Sequence, residues 1–338
     1  MAKKSVLPAD LAQALATIGQ KLARGVRVDG QLLSAISGMS EIPAGAVGQA
    51  AREIPEIANL FRDRRKPVRS LFWPRLSDEE QLQRFPEFAY LCLFHHDGRL
   101  RSKALQLISG PLPSPFLFAS VVVRLNDWAE PVRSAALGCA QRCFPLTSPE
   151  TIAAAANFVL LRQDSWGRWG TEREAVRTVF SRPDVVAKLV ENLREARTGP
   201  GSRILRELLR WPTLDPYLET LALNAWQPAV RAVAVQAIGA MQASWRTGSE
   251  IQWIDKSMGE GRSVPKFERR PLTTAISRLD VMGAATRDGS ALVRKVALDS
   301  IIRHELGSQA GRDLALHLAN DASLPVRERA AFILSRTA

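Results

Sequence analysis

Apolar residues along this chain recur three and four positions apart for most of its length, the spacing of one helix face. From Ala9 to Ala23, Leu11, Leu15, Ile18 and Leu22 form one stripe. Val132, Ala135, Ala136 and Ala140 form another. The stretch Leu125–Leu137, LNDWAEPVRSAAL, is the fullest version of a pattern that returns along the chain. Asp127 stands five residues before Val132, Pro131 directly before it, and Arg133 directly after it. The frame reads Asp63, Pro67, Val68, Arg69 near the start, and Asp288, Val293, Arg294, Ala297, Leu298 later on. Near the end it reads Asn320, Asp321, Pro325, Val326, Arg327, Ala330, Ala331. Leu223–Asn224–Ala225–Trp226 with Pro228, Val230 and Arg231 is a copy that has lost its Asp, and Leu100–Arg101 is a weaker one. Positions 68, 100 and 132 are 32 apart, and 293 and 326 are 33 apart. From 230 to 293 is 63, close to two periods. A fixed period of this size marks a repeat array, and helical patterning inside each unit makes it an all-α solenoid of helical hairpins.

Each part of the frame has a physical use. An Asp or Asn closing a loop can accept orphan backbone N–H groups at the start of the next helix. Pro fits the first helical turn, where its missing donor costs nothing. Val and the small residues after it allow a close helix–helix approach. The Arg beside the Val points off that face, so an Asp–Arg ladder between successive repeats is expected. This Asp-x-x-x-Pro-Val-Arg frame resembles the HEAT repeat, in the short bacterial form of phycobilisome-lyase-type HEAT proteins. The resemblance implies a HEAT-like solenoid over most of the chain and, for such arrays, a scaffold. On this reading residues 1–54 are an atypical N-terminal helical cap, residues 55–338 are the array, and an irregular basic insertion interrupts it at about 244–271.

Composition changes the picture mainly through charge. At 46% apolar and 24% charged residues the chain reads as an ordinary folded protein. Its formal net charge of +12 favours an acidic or polyanionic partner, against the plainer account of arginine spread over solvated faces and the ladder. Three cysteines make no disulfide framework, and Cys139 and Cys143 read as buried thiols of a reducing compartment. The start of the chain lacks the apolar core of a signal peptide, and no run reaches the roughly 18 apolar residues of a membrane span. A cytoplasmic location is expected.

Three stretches stand out as candidate contact sites. Arg62, Arg64, Arg65 and Lys66 lead into Phe72 and Trp73, the mixture of cations and rings that suits phosphates and bases. Trp166, Arg168 and Trp169, set among glycines, read as a loop that either presents aromatics or tucks them between repeats. Arg262, Lys266, Arg269 and Arg270 fall in the insertion, read as a basic, Gly/Pro-punctuated loop and as the first choice for a functional element. His95–His96 lacks a third ligand at helical spacing, so no metal is expected and the pair reads as a loop or capping feature.

No nucleophile elbow, zinc or dinucleotide fingerprint is present, and no cofactor is expected. The chain is also similar to the bacterial alkylpurine DNA glycosylases in being basic, helical and tryptophan-rich. That resemblance points to Asp127 with Trp128, and to Trp226, although Ala225 stands where a second acid would be wanted. The leading expectation is a non-catalytic scaffold for a protein partner, with a nucleic-acid-binding solenoid as the alternative and a glycosylase behind both.

Overall fold

The computed structural model describes residues 5–61 and 76–336. The frame copy at Asp63–Arg69 and the basic group Arg62, Arg64, Arg65 and Lys66 lie outside the described residues. The chain forms two compact units, Met1–Phe180 and Ser181–Ala338, and its fold class is an all-α helical-repeat solenoid.

The first unit begins with α1 (Ala9–Arg24), α2 (Asp29–Ser40) and α3 (Val47–Ile57). Leu11, Leu15, Ile18 and Leu22 are all buried, as the stripe predicts, and Gly25 ends α1 in a left-handed conformation at φ 69°. Then follow α4 (Asp78–Arg84), α5 (Phe88–Cys92), α6 (Gly98–Leu107), α7 (Pro115–Arg124), α8 (Glu130–Cys143), α9 (Pro149–Val159) and α10 (Arg173–Phe180). Helix α6 packs on α8 and α7 packs on α9, so first and second helices of successive hairpins stack in separate rows. Phe88, Phe116, Phe118 and Phe180 are fully buried in this unit.

The second unit runs α11 (Pro183–Glu195), α12 (Gly201–Leu208), α13 (Leu218–Asn224), α14 (Pro228–Ala240), α15 (Arg278–Ala285), α16 (Ala291–His304), α17 (Gln309–Leu316) and α18 (Leu324–Ser335). Here the rows are α11, α13, α15, α17 and α12, α14, α16, α18. Small residues set the spacing: a Cβ on Gly239 of α14 would stand 2.1 Å from Ser300 Oγ of α16.

The Asp–Arg ladder is present. In unit 1, Arg101 of α6 places Nε and Nη2 on Asp127 at 3.1 and 2.9 Å. In unit 2, Arg231 of α14 grips Asp288 at 2.7 and 2.8 Å, and Arg294 of α16 grips Asp321 at 2.7 and 2.9 Å. The remaining nitrogen turns back on its own repeat. Arg294 Nη1 donates to the Asp288 carbonyl at 2.8 Å, Arg327 to that of Asp321 at 2.6 Å, and Arg101 to that of His95 at 2.9 Å. Each Asp also accepts the N–H two residues on: Asp127 from Ala129, Asp288 from Ser290, Asp321 from Ser323. The Asp therefore shapes the loop just ahead of the helix rather than capping its first turn. Where Ala225 replaces the Asp, the tie is remade. Trp226 N donates to the Arg194 carbonyl, and Gln227 Nε2 reaches the carbonyls of Ala196 and Thr198.

The insertion departs from expectation. It is a β-hairpin, not a loop: β1 (Gln242–Asp255) pairs antiparallel with β2 (Glu260–Pro271). The glycines and proline that suggested a loop are tolerated because both strands of a two-stranded ribbon are edges, where a missing donor or a bulge costs little. Gly248 sits at a register shift with φ 150°, and Gly259 closes the turn at φ 70°.

Burial alone would raise the carboxyls of Asp127 and Asp288, but their arginine hydrogen bonds and backbone N–H donors more than offset it and hold both below the ordinary value. Asp321 is lowered first by its bond from Arg294. These groups bind protons less readily folded than unfolded, where the value is about 3.9. Their contribution is therefore complete above that value and is lost as pH falls through the lower folded values. Urea unfolding followed downward from about pH 7 should show stability declining below about pH 5, with a shallower decline in Asp321→Asn. Asp127→Ala leaves Arg101, only 5% exposed, without its counter-ion; unfolding of this variant should show a loss of about 3–5 kcal/mol.

Candidate functional site

The predicted site residues fall in different settings. Past the short 3-10 turn Gln163–Ser165, Trp166 is half-buried against Phe158, with ring centroids 5.9 Å apart, and meets Trp169 edge-on at 4.9 Å. Trp169 is buried, with the Arg173 guanidinium 5.6 Å over its ring. The two rings therefore plug the space under the loop, and Arg168 alone of the three is exposed. Trp128, next to Asp127, is 71% exposed. Asp127 itself accepts from Arg101, from Arg124 Nη1 at 2.7 Å and from Ala129 N, so it is a structural group rather than a reacting one. His95 is buried between Asp78, 3.3 Å from Nε2, and the Asp97 N–H, which donates to Nδ1.

The hairpin is built outward from a buried base. Helix α14 ends at Met241, left-handed at φ 50°, and Ala243 and Trp245 bury the first turns of β1 against α12 and α14. Arg270 of β2 lies deep in this base. Its Nη1 and Nη2 bond Asp215 at 2.7 and 2.6 Å, its Nε bonds the Leu209 carbonyl, and Thr273 adds its N–H and hydroxyl to Asp215. Burial pushes the Asp215 carboxyl up, but Arg270 and Thr273 outweigh it and the group lies below its ordinary value. Arg270 is therefore an anchor of the hairpin and is not free for a partner.

Register separates the two faces of the ribbon, since directly paired residues share a face. One face carries Lys266 opposite Gly248, Val264 opposite Glu250, Arg262 opposite Gln252, and Glu268 opposite the buried Trp245. Arg262 is bonded to Gln252 Oε1 at 2.9 and 2.8 Å. The other face carries Phe267 opposite Arg246, Ile251 opposite Ser263, and Trp253 opposite Gly261. A Cβ on Gly261 would come within 2.6 Å of Ile251 Cγ2 and 3.1 Å of Trp253 Cε3, so glycine lets both side chains lie across the strand. Ile251, Trp253 and Phe267 are nevertheless exposed, as are Ile254 and Met258 near the turn. The distal ribbon is thus amphipathic, with its apolar strip open to solvent.

At the base of that same face a cleft of about 320 Å³ opens inside unit 2. Leu209, Val233, Ala237, Ala240 and Phe267 give it an apolar floor, and Arg206, Arg269, Arg303 and His304 line it with no carboxylate among the lining residues. Sequence reasoning found Arg269 but not Arg206, Arg303 or His304, which lie at the ends of α12 and α16 and meet only through stacking of the second-helix row. It also missed the apolar strip, although Ile251 and Trp253 two apart carry the strand alternation. Asp215→Asn should loosen the hairpin without unfolding the helices. Amide exchange at residues 243–245 and 268–270 is expected to rise by at least about tenfold while α6 and α8 keep their protection.

No protein-family model matches the chain, and no curated protein matches it. Among solved structures, a designed armadillo repeat protein in complex with a (KR)4 peptide is similar at 13% identity over 96% of this chain and 99% of that one, with a TM-score of 0.18.

Proposed function

We propose that this chain is a HEAT-type scaffold that holds a protein partner, and that the β-hairpin of its second unit is the docking element. The observation that carries the reading is the open strip Ile251–Trp253–Phe267 on a ribbon whose base is firmly tied down. An isolated two-stranded ribbon is marginal in water, and exposed apolar edges invite unwanted pairing. Holding such a ribbon out from the repeat array, with aromatic and aliphatic side chains on one face, gives the composition of an interface core with arginines close by. Arg168 and the half-buried Trp166 of the first unit are a secondary contact in this reading, and Arg62, Arg64, Arg65 and Lys66 belong to it as cationic candidates. Asp127 has no free oxygen to offer a reaction, which supports a binding role over a glycosylase.

A nucleic-acid partner would instead use Arg262, Lys266 and Arg269, three exposed cations of the hairpin. Yet Glu250, Asp255, Glu260 and Glu268 alternate with them along the ribbon, which disfavours a track for a polyanion.

The test is purification of the full chain from its own cells after nuclease treatment, beside an Ile251→Ser/Trp253→Ser variant. Both side chains are exposed, so unfolding of the variant should stay within about 0.5 kcal/mol of the native chain. A discrete partner held in near-stoichiometric amount by the native chain and lost by the variant is the expected result. Equal retention by both would refute the hairpin as docking element, and loss on nuclease treatment would move the reading to nucleic acid.

A further inference from the structure

Two groups of arginines among the described residues differ in what they meet. The ladder and anchor arginines, Arg101, Arg231, Arg270 and Arg294, each grip a carboxylate. Among the described residues, Arg206, Arg269 and Arg303 have neither a hydrogen bond nor an ion pair, and these three converge on the one cleft at the hairpin base. The nearest acids in sequence are committed elsewhere: Glu207 to Arg210, Glu305 to Arg278, while Glu268 lies on the opposite face of β2. Like charges gathered without a counter-ion over an apolar floor are unfavourable unless something anionic completes the site. Helix dipoles account for part of it, since Arg206 and Arg303 stand in the last turns of α12 and α16. They do not account for Arg269, which is on a strand, nor for an aliphatic floor beneath the guanidinium groups.

We infer that this cleft receives a short extended acidic segment of the protein partner, in which one aliphatic side chain enters between two or more carboxylates. The inference rests on the docking reading above and names the chemistry of the docked segment. Arginine suits the task because its planar fork takes a carboxylate through two parallel bonds. The floor of Leu209, Val233, Ala237 and Ala240 matches an aliphatic side chain, whereas a nucleic-acid strand would need a series of rings to stack on and the lining holds just Phe267 and His304. A volume near 320 Å³ is at the small end for ligand pockets, enough for a few side chains of such a segment. The apolar strip continues outward from Phe267, so a segment seated in the cleft would run on along Ile251 and Trp253.

The experiment is fluorescence polarisation with the full chain and a fluorescein-labelled peptide of alternating glutamate and leucine. A peptide with glutamine in place of glutamate and a labelled oligo(dT) serve as the comparison probes. The Glu/Leu peptide should bind, and the Gln/Leu peptide should bind on the order of tenfold more weakly. Arg206→Gln, Arg269→Gln and Arg303→Gln should each weaken the Glu/Leu peptide by a similar factor with little change in thermal unfolding, because all three side chains are exposed and unpaired and the helix dipole is a small term. Arg269→Lys, which keeps the charge but loses the fork, should fall between. Equal binding of the two peptides, or indifference to all three substitutions, would overturn the inference. So would oligo(dT) displacing the peptide at lower concentration than the unlabelled peptide does. The Ile251→Ser/Trp253→Ser chain separates the two readings. If it loses its partner but keeps the peptide, the cleft inference stands with the docking strip. If the native chain retains a partner but binds no peptide, the cleft inference fails alone.

Discussion

The planar fork of an arginine closing on the aspartate of the next repeat is the interaction on which this architecture depends. Each fork does two things at once. Two nitrogens neutralise a carboxylate that has been taken out of water, and the third satisfies loop carbonyls six and often five residues upstream, as when Arg231 Nη1 bonds Ala225 O and Trp226 O. A lysine could offer a charge but not this divided geometry. The tie is costly to break on one side, because a buried charge left alone is far worse than no pair at all. It also fixes the period, since Arg294 and Asp321 meet only when successive second helices are stacked in register.

The same chemistry recurs in the β-hairpin, which is not a repeat. Arg270 and Asp215 form a bidentate pair like those of the ladder, with Thr273 filling the remaining valences of the carboxylate, and this pair fastens a β-ribbon to the helical array. Fork pairing thus gives Arg101, Arg231, Arg270 and Arg294 a structural use and leaves the net positive charge of the chain unchanged. The arginines left unpaired are the ones the proposed docking uses. In the second unit Arg206, Arg269 and Arg303 stay unpaired and line one cleft, where the ribbon's apolar face begins.

How much of this could be read from the sequence follows from the range of each interaction. The ladder was legible because Asp127, Val132 and Arg133 lie in one short stretch and the spacing repeats, so a local pattern reports a periodic contact. The burial of Leu11, Leu15 and Ile18 was legible for the same reason. The insertion was misread because Gly248, Gly259, Gly261 and Pro265 are loop signals in a helical context, and only the pairing of β1 with β2 turns them into bulge, turn and packing positions. Trp166 and Trp169 could not be assigned from sequence at all: whether a ring is presented or tucked depends on Phe158, on a neighbouring helix. The cleft was out of reach, because Arg206, Arg269 and Arg303 belong to three elements, α12, β2 and α16, that lie far apart in the sequence.

The position of the insertion explains how an array can carry it. Arg231 reaches Asp288 across 57 residues, against 27 for Arg294 and Asp321, yet the two pairs have nearly the same geometry. Helices α14 and α16 stack directly, with Gly239 allowing Ser300 to come close, so the ladder passes beneath the hairpin as if it were absent. The ladder gathers at the starts of the second helices, and the hairpin leaves from the far end of α14. A repeat array tolerates an addition there because no rung has to stretch. Cations at those helix ends already favour the dipoles of α12 and α16, so placing Arg206 and Arg303 there costs the fold little. The proposed binding surface is therefore assembled from residues the array can spare, and a partner held there would not weaken what holds the array together.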